Sequence, residues 1–313
     1  MTQFLIRRIF VSIVVVWAVA TLVFFLLRMV PGDPIGAMLS DVDPAAAEVL
    51  RAKLGLDQPA YVQYFRWMLN TLRGDLGNSI YGNNQPVNQI IAEALPRTLS
   101  LSFLAMIIAL VISFTAGIVS AMKKGTWLDH IVTFIAILGL SMPNFWLGIM
   151  LIIIFAVNLH WLPAIGYSPM SDGFWPWFSH LILPAIAVGA PFAAIIARMI
   201  RSAMLEVSRE DYIRTARSKG LSARSVIFTH TLRNALIPVI TVMGIAFALL
   251  MTGAVVVENV FAIKGLGRVM IQSILNRDYP VVQGAILIVS LVFVATNLLV
   301  DILYTVVDPR IRY

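Results

Sequence analysis

Ala203-Met204-Leu205-Glu206-Val207-Ser208-Arg209-Glu210-Asp211-Tyr212-Ile213-Arg214-Thr215-Ala216-Arg217-Ser218-Lys219-Gly220-Leu221-Ser222 is a charged stretch set between two long apolar runs, 181–200 and 235–257. Tyr212, Ile213, Ala216 and Gly220 recur at spacings of three and four, so one helix face is small and apolar while arginines occupy the other. Gly220 is placed to end that helix in a left-handed conformation, and Ser222 to cap the next one. The spacing predicts a short helix, a turn, and a second helix running through His230 and Arg233 into the apolar run beyond.

Working outward, 181–200 and 235–257 are two of six such runs; the others are 9–27, 99–122, 131–157 and 281–307. About 20 apolar residues, each rising about 1.5 Å, cross about 30 Å of hydrocarbon. Backbone groups in lipid must pair within their own segment, which makes helices the default, and the unbroken apolarity argues against the alternation of a membrane β-barrel. The whole composition agrees. Of 313 residues, 59% are hydrophobic and 12% charged, and mean hydropathy is +0.87. Ordinary soluble domains carry about 25% charged residues. A soluble enzyme and a disordered chain are both excluded on these grounds. The expected fold is all-α and polytopic, with six transmembrane helices. Arg7 and Arg8 before the first run give it a signal-peptide look, but the run continues through Leu22 to Leu27 past Ala18-Val19-Ala20, so a retained helix is expected.

Lys and Arg in short loops set the orientation. With the N-terminus inside, one side collects Arg7, Arg8, Lys123, Lys124, Arg198, Arg201, Arg209, Arg214, Arg217, Lys219, Arg224, Arg233, Arg310 and Arg312. That is 14 of the 23 basic residues. The opposite short loops hold Lys264, Arg268 and Arg277, and 158–180 holds none. Both termini are expected to be cytoplasmic. The chain then divides into 1–30 (N-terminus and first span), 31–98 (an extracytoplasmic helical insertion) and 99–313 (the remaining spans, with a cytoplasmic loop 203–233). In the insertion, Pro31-Gly32-Asp33-Pro34 ends the first helix. Asp43-Pro44 starts a short helix over 45–50, Leu54-Gly55-Leu56-Asp57 stops it, and Tyr61–Leu72 reads as an amphipathic helix.

The 203–233 loop has two readings: a basic helix drawn to anionic membrane lipid, or a docking element for another protein. Glu206, Glu210 and Asp211 dilute the basic patch, and the small face of Ala216 and Gly220 suits close approach to a partner. In the spans, Ser141-Met142-Pro143-Asn144 is a mid-span break that either exposes carbonyls to a translocation path or is a packed proline kink. Glu258 and Asn259 end the fifth run, either at a path mouth or simply hydrated. Asn297 and Asp301 in the last run favour a structural role. His160 and His180 share the 158–180 loop, where interfacial placement is favoured over a metal-handling pair. No Gly-x-x-x-x-Gly-Lys-Ser/Thr loop, His-Glu-x-x-His motif or paired acids occur, and there is no cysteine, so no catalytic, cofactor or metal site is assigned.

Arg214-Thr215-Ala216-Arg217-Ser218-Lys219-Gly220, followed by Leu232-Arg233-Asn234-Ala235 and Pro238, resembles the cytoplasmic loop of ATP-binding-cassette (ABC) importer permeases. Those carry a Glu-Ala-Ala-x-x-x-Gly signature; here Arg214 and Thr215 replace Glu-Ala, as in the dipeptide, oligopeptide and nickel branch. Pro31-Gly32-Asp33-Pro34, Leu54-Gly55-Leu56-Asp57, Gly74-Asp75-Leu76-Gly77, Ser141-Met142-Pro143, Arg277-Asp278-Tyr279-Pro280-Val281-Val282-Gln283 and Asp308-Pro309-Arg310 resemble the same branch, in order along the whole chain. The resemblance implies the type I ABC importer permease fold in a prokaryotic inner membrane, and one permease subunit of an ATP-driven importer of di- or oligopeptides. Nickel or glutathione is the alternative cargo, and a secondary transporter the more distant rival. It further implies a homologous second permease, two ATPase subunits that hold ATP and Mg, and an extracytoplasmic peptide-binding protein; nothing points to nucleic acid. Asp211, Tyr212, Arg214, Thr215, Ala216, Arg217, Lys219 and Gly220 would form the ATPase-coupling helix.

Overall fold

The computed structural model describes residues 2–29, 57–81 and 84–307, in which helices and turns are joined by one isolated bridge between Asn78 and Pro86. The helices are α1 (Thr2–Met29), α2 (Ala60–Leu72), α3 (Val87–Met122), α4 (Trp127–Ser141), α5 (Asn144–Leu151), α6 (Phe174–Val207), α7 (Asp211–Ser218), α8 (Arg233–Val260), α9 (Leu266–Leu275) and α10 (Tyr279–Val307). π-Helical segments Ile152–Asn158 and Val226–Leu232 extend α5 and lead into α8. The expected helix over 45–50 and the motifs at 31–34, 54–56 and 308–310 lie outside the described residues.

Among the described residues, five helices are long and apolar enough to cross a membrane, and a sixth span results if α4 and α5 with its extension are counted as one. The break expected at Ser141–Asn144 in that third run is there, and it is sharp: the two halves are bent by 106° at Met142-Pro143. Pro143 supplies no N–H, and its ring forces Met142 out of the helical region, to φ −81°, ψ 128°. The chain is a multi-pass membrane protein.

Two compact units divide the chain. The first comprises Thr98–Ile263 and the part of α10 from Ala295. Its core is built from Leu101, Leu104, Ala105, Leu181, Val188, Ile196, Ile200, Leu250 and Phe261, with α6 the most enclosed of the spans. Small residues bring its helices close together, as membrane packing requires where lipid is as apolar as leucine. At Gly189 a Cβ would stand 2.8 Å from the Ala105 carbonyl oxygen, so only glycine allows α6 to approach α3 this closely.

The second unit comprises Thr2–Arg97 and Lys264–Val294. Val87, Ile91, Ala94, Leu266 and Val281 form its core. α9 lies in a stretch expected as a short loop between spans; its burial of Leu266 and Ser273 makes it an amphipathic helix too short to announce itself as a span. Tyr64 and Trp67 of α2 pack against Phe24 of α1, with ring centroids 5.2 and 5.3 Å away. Asp278, almost fully buried, accepts from the Ser79 hydroxyl and from the Ile80 N–H at 3.1 Å, which ties the turn before α3 to the start of α10.

Candidate functional site

The 203–233 stretch folds largely as its spacing predicts. Ala203–Val207 complete α6, and α7 follows with Asp211 in its first turn and Arg217 in its last, each on the side of the helix dipole that favours its charge. Gly220 has φ +77°; its N–H bonds the Arg217 carbonyl at 2.9 Å, and the Leu221 N–H reaches the Ala216 carbonyl at 3.3 Å. These two bonds make a complete Schellman stop, which needs the left-handed residue that glycine supplies without a Cβ penalty. The Ser222 hydroxyl then accepts from Ser225 N–H at 3.3 Å and opens the turn Ala223–Ser225.

The face expected to meet a partner differs. Ile213 and Ala216 are buried within this chain, against Val226 and Val207, because an eight-residue helix is held only by giving its apolar stripe to its neighbours. Asp211, Tyr212, Arg214, Thr215, Arg217, Lys219 and Gly220 are exposed instead. Tyr212 is also tied inward: its hydroxyl accepts from the Asn234 amide at 3.1 Å, and that amide donates to the His230 carbonyl at 2.8 Å. The small helix is thereby joined to the end of α6 through Val207 and to the start of α8 through Asn234. The Asp211–Arg214 pair, 3.5 Å apart and exposed, adds little.

The intramembrane candidates are less uniform. Ser141 and Pro143 are exposed on the bend, Asn144 half-buried, and the Ser141 hydroxyl donates to the Ile137 carbonyl at 2.9 Å. Asn259 is exposed and its amide donates to the Val255 carbonyl at 2.9 Å. Glu258 is not hydrated: it is fully buried and accepts from the Thr98 hydroxyl at 2.5 Å. A one-turn-per-3.6-residue helix turns Glu258 and Asn259 about 100° apart, so adjacent polar residues at a span end need not share water. Next to them, the fully buried Phe261 closes on Gly148 of α5. The Asp301 side chain lies outside the described residues. His180 Nδ1 stands 2.7 Å from the Pro176 carbonyl one turn back, and His160 occupies a left-handed turn at φ +56°. Among the described residues no group of three or more His, Asp or Glu side chains is placed to hold a metal.

One pairing escaped the sequence reading. Asp129, at the start of α4, is 3% exposed and receives Arg201 Nε and Nη2 at 2.8 Å each, the Ser120 hydroxyl, and the Gly125 N–H at 2.9 Å. It joins the α3–α4 turn to α6 near the start of the 203–233 stretch. A lone acid in the first turn of an apolar run was the available signal.

Comparison with known proteins accounts for both units. The family described as binding-protein-dependent transport system inner membrane component matches residues 113–313, and its N-terminal counterpart matches 1–102. A Brucella abortus protein whose name assigns it provisionally to peptide transport as a permease is 48% identical over the whole length of both chains. The dipeptide transport system permease DppB of Alkalihalophilus pseudofirmus is 42% identical and the oligopeptide transport system permease AppB of Bacillus subtilis 41%, again over the full length of each. Among solved structures, the inward-facing MetNI methionine ABC transporter aligns with 70% of this chain and 97% of its own, at a TM-score of 0.59 and 19% identity, which is a likeness of fold.

Proposed function

The chain belongs to the family of binding-protein-dependent transport system inner membrane components, and on that footing we propose that it is a permease subunit of an ATP-driven importer of di- and oligopeptides. It is a transport component and not an enzyme. The observation that carries the cargo class is full-length identity of 41–48% with proteins named for peptide transport. In this reading it lies in a prokaryotic inner membrane with both termini in the cytoplasm. It works beside a homologous second permease and over two ATPase subunits, which bind the ATP and Mg. An extracytoplasmic binding protein delivers the peptide.

The 203–233 loop supports a mechanical role. Its polar outer face, with Tyr212, Arg214, Arg217 and Lys219, is what an ATPase would grip, and its apolar inner face is built into the permease. Movement of α7 is passed through Val207 to α6 and through Asn234 to α8. Opening of the path to one side or the other then follows whichever state the ATPases bind better. Ser141, Pro143 and Asn144 at the bend, and Asn259 at the end of α8, are the candidates for the path wall. The buried Glu258 would position that end of α8 instead of meeting cargo.

The experiment is uptake by cells or vesicles holding the assembled importer and its binding protein, offered labelled dipeptide, glutathione and nickel in turn. Dipeptide uptake that requires this chain and ATP is expected. Uptake of nickel or glutathione alone overturns the peptide assignment.

A further inference from the structure

Two faces of α2 behave differently. Tyr64 and Trp67 pack on α1, whereas Tyr61, Phe65, Leu69 and Leu72, spaced four, four and three apart, are turned outward at 63, 63, 55 and 78% exposure. This stripe does not stand alone. Phe65 touches Tyr64 (centroids 5.6 Å), and Tyr64 stacks on Phe25 of α1 at 5.5 Å. Around Phe25, α1 presents Leu22, Leu26 and Met29 outward, as a membrane span does. The apolar surface of the span therefore runs on, without a break in ring contacts, onto α2.

A cavity of about 170 Å³ opens beside the inner edge of α2, more than ten times the roughly 10–15 Å³ that one water needs. Its lining is rich in hydrogen-bond donors. Arg28 stands at the end of α1, held by Gln63 Oε1, which accepts from Nε and Nη2 at 3.0 and 2.8 Å, and by the Phe24 carbonyl, which accepts from Nη1 at 3.1 Å. Those bonds use three of its five N–H groups. Arg66 and Asn70 reach the cavity from α2, and Tyr279 and Gln283 from α10. The Gln283 side chain is 5% exposed, and among the described residues its amide nitrogen has no hydrogen-bond partner. A buried donor left unmade is costly, so an acceptor entering this cavity would be held by it. The one acid among the described lining residues, Asp75, is engaged with the Gly77 N–H at 2.9 Å. Two arginines and an orphaned amide call for an acceptor-rich anion. Where an apolar span ends, the anion at hand is a phospholipid phosphate.

We propose that this cavity binds the phosphodiester of a phospholipid headgroup, with the acyl chains lying along Phe25, Phe65 and Leu69. Arg28, Arg66 and the Gln283 amide donate to the phosphate oxygens. The lipid thereby fixes α2 to the membrane surface and α10 to α2 within this unit. The proposal goes beyond transport and needs neither cargo nor ATP.

The test uses the complete purified transporter, stripped of lipid and given phosphatidylglycerol, diacylglycerol or inorganic phosphate, with retained lipid counted by native mass spectrometry and stability followed by thermal shift. Retention of phosphatidylglycerol by the wild type is expected, weakened about tenfold by Gln283→Leu and by Arg66→Ala, the loss expected of one charge-assisted hydrogen bond. Arg66 is exposed, so its variant keeps the test readable if Gln283→Leu fails to fold. Diacylglycerol retained as firmly as phosphatidylglycerol overturns the proposal, as does inorganic phosphate stabilising as well as the lipid. Retention unchanged in both variants overturns it too.

Discussion

Arg201 holds Asp129, 72 positions earlier in the chain, through two parallel bonds of 2.8 Å. The geometry is the fork-on-carboxylate pairing that only arginine makes, and it joins the α3–α4 turn to the C-terminal reach of α6. Asp129→Ala should destabilise the chain by about 2–3 kcal/mol, below the 3–5 of a wholly buried pair because 30% of the Arg201 side chain remains exposed. Arg201→Lys should recover less than half of an Arg201→Ala loss. Thermal unfolding of the four variants of the Asp129/Arg201 cycle checks this, and additive effects would refute the pairing.

Gly220 has open space around the position a Cβ would take, yet its φ is +77°. The cost of substitution is therefore conformational, about 1–2 kcal/mol for an L-residue held left-handed. Gly220→Asn should be tolerated and Gly220→Val should not, the latter lowering transport and ATPase retention in purified complexes. Equal behaviour of the two would remove the Schellman stop from the coupling argument.

Ala216 and Arg217 are neighbours with opposite surroundings. Ala216→Asp puts a charge among Ile213, Val226 and Val207 and should loosen the loop itself, read as faster proteolysis near residue 220. Arg217→Glu, on the exposed face, should leave protease resistance unchanged while ATPase copurification falls. Normal copurification with Arg217→Glu would shift the docking face elsewhere.

Gly189→Val should separate α6 from α3, because its Cβ would lie 2.8 Å from the Ala105 carbonyl oxygen. Overpacking of this kind costs about 1–3 kcal/mol. A lowered unfolding temperature in detergent is the expected reading.

The 106° bend at Met142-Pro143 leaves a direct question for labelling, since a broken span crosses and a re-entrant pair returns. Cysteines at Ser171 and Ser218, in a chain with none of its own, answer it. Crossing predicts that Ser171 labels from outside intact cells and Ser218 does not, while a further cysteine at Thr126 stays unlabelled; Thr126 and Ser171 labelling from the same side would make α4 and α5 re-entrant.

Membrane class, the span positions, the Gly220 stop and the Ser222 cap were legible in the residues alone. Each rests on interactions that close within one helix or one turn: apolar length against bilayer thickness, a left-handed residue, a hydroxyl reaching three positions ahead. Tertiary structure alone decided that Ala216 faces inward, that Glu258 is buried against Thr98, that Asp129 belongs to Arg201, and that the Gln283 amide is left without an acceptor. Those outcomes depend on which helices meet across tens of residues. A polar residue in an apolar run carries the same local pattern whether it faces lipid, water or a partner, and only packing distinguishes them.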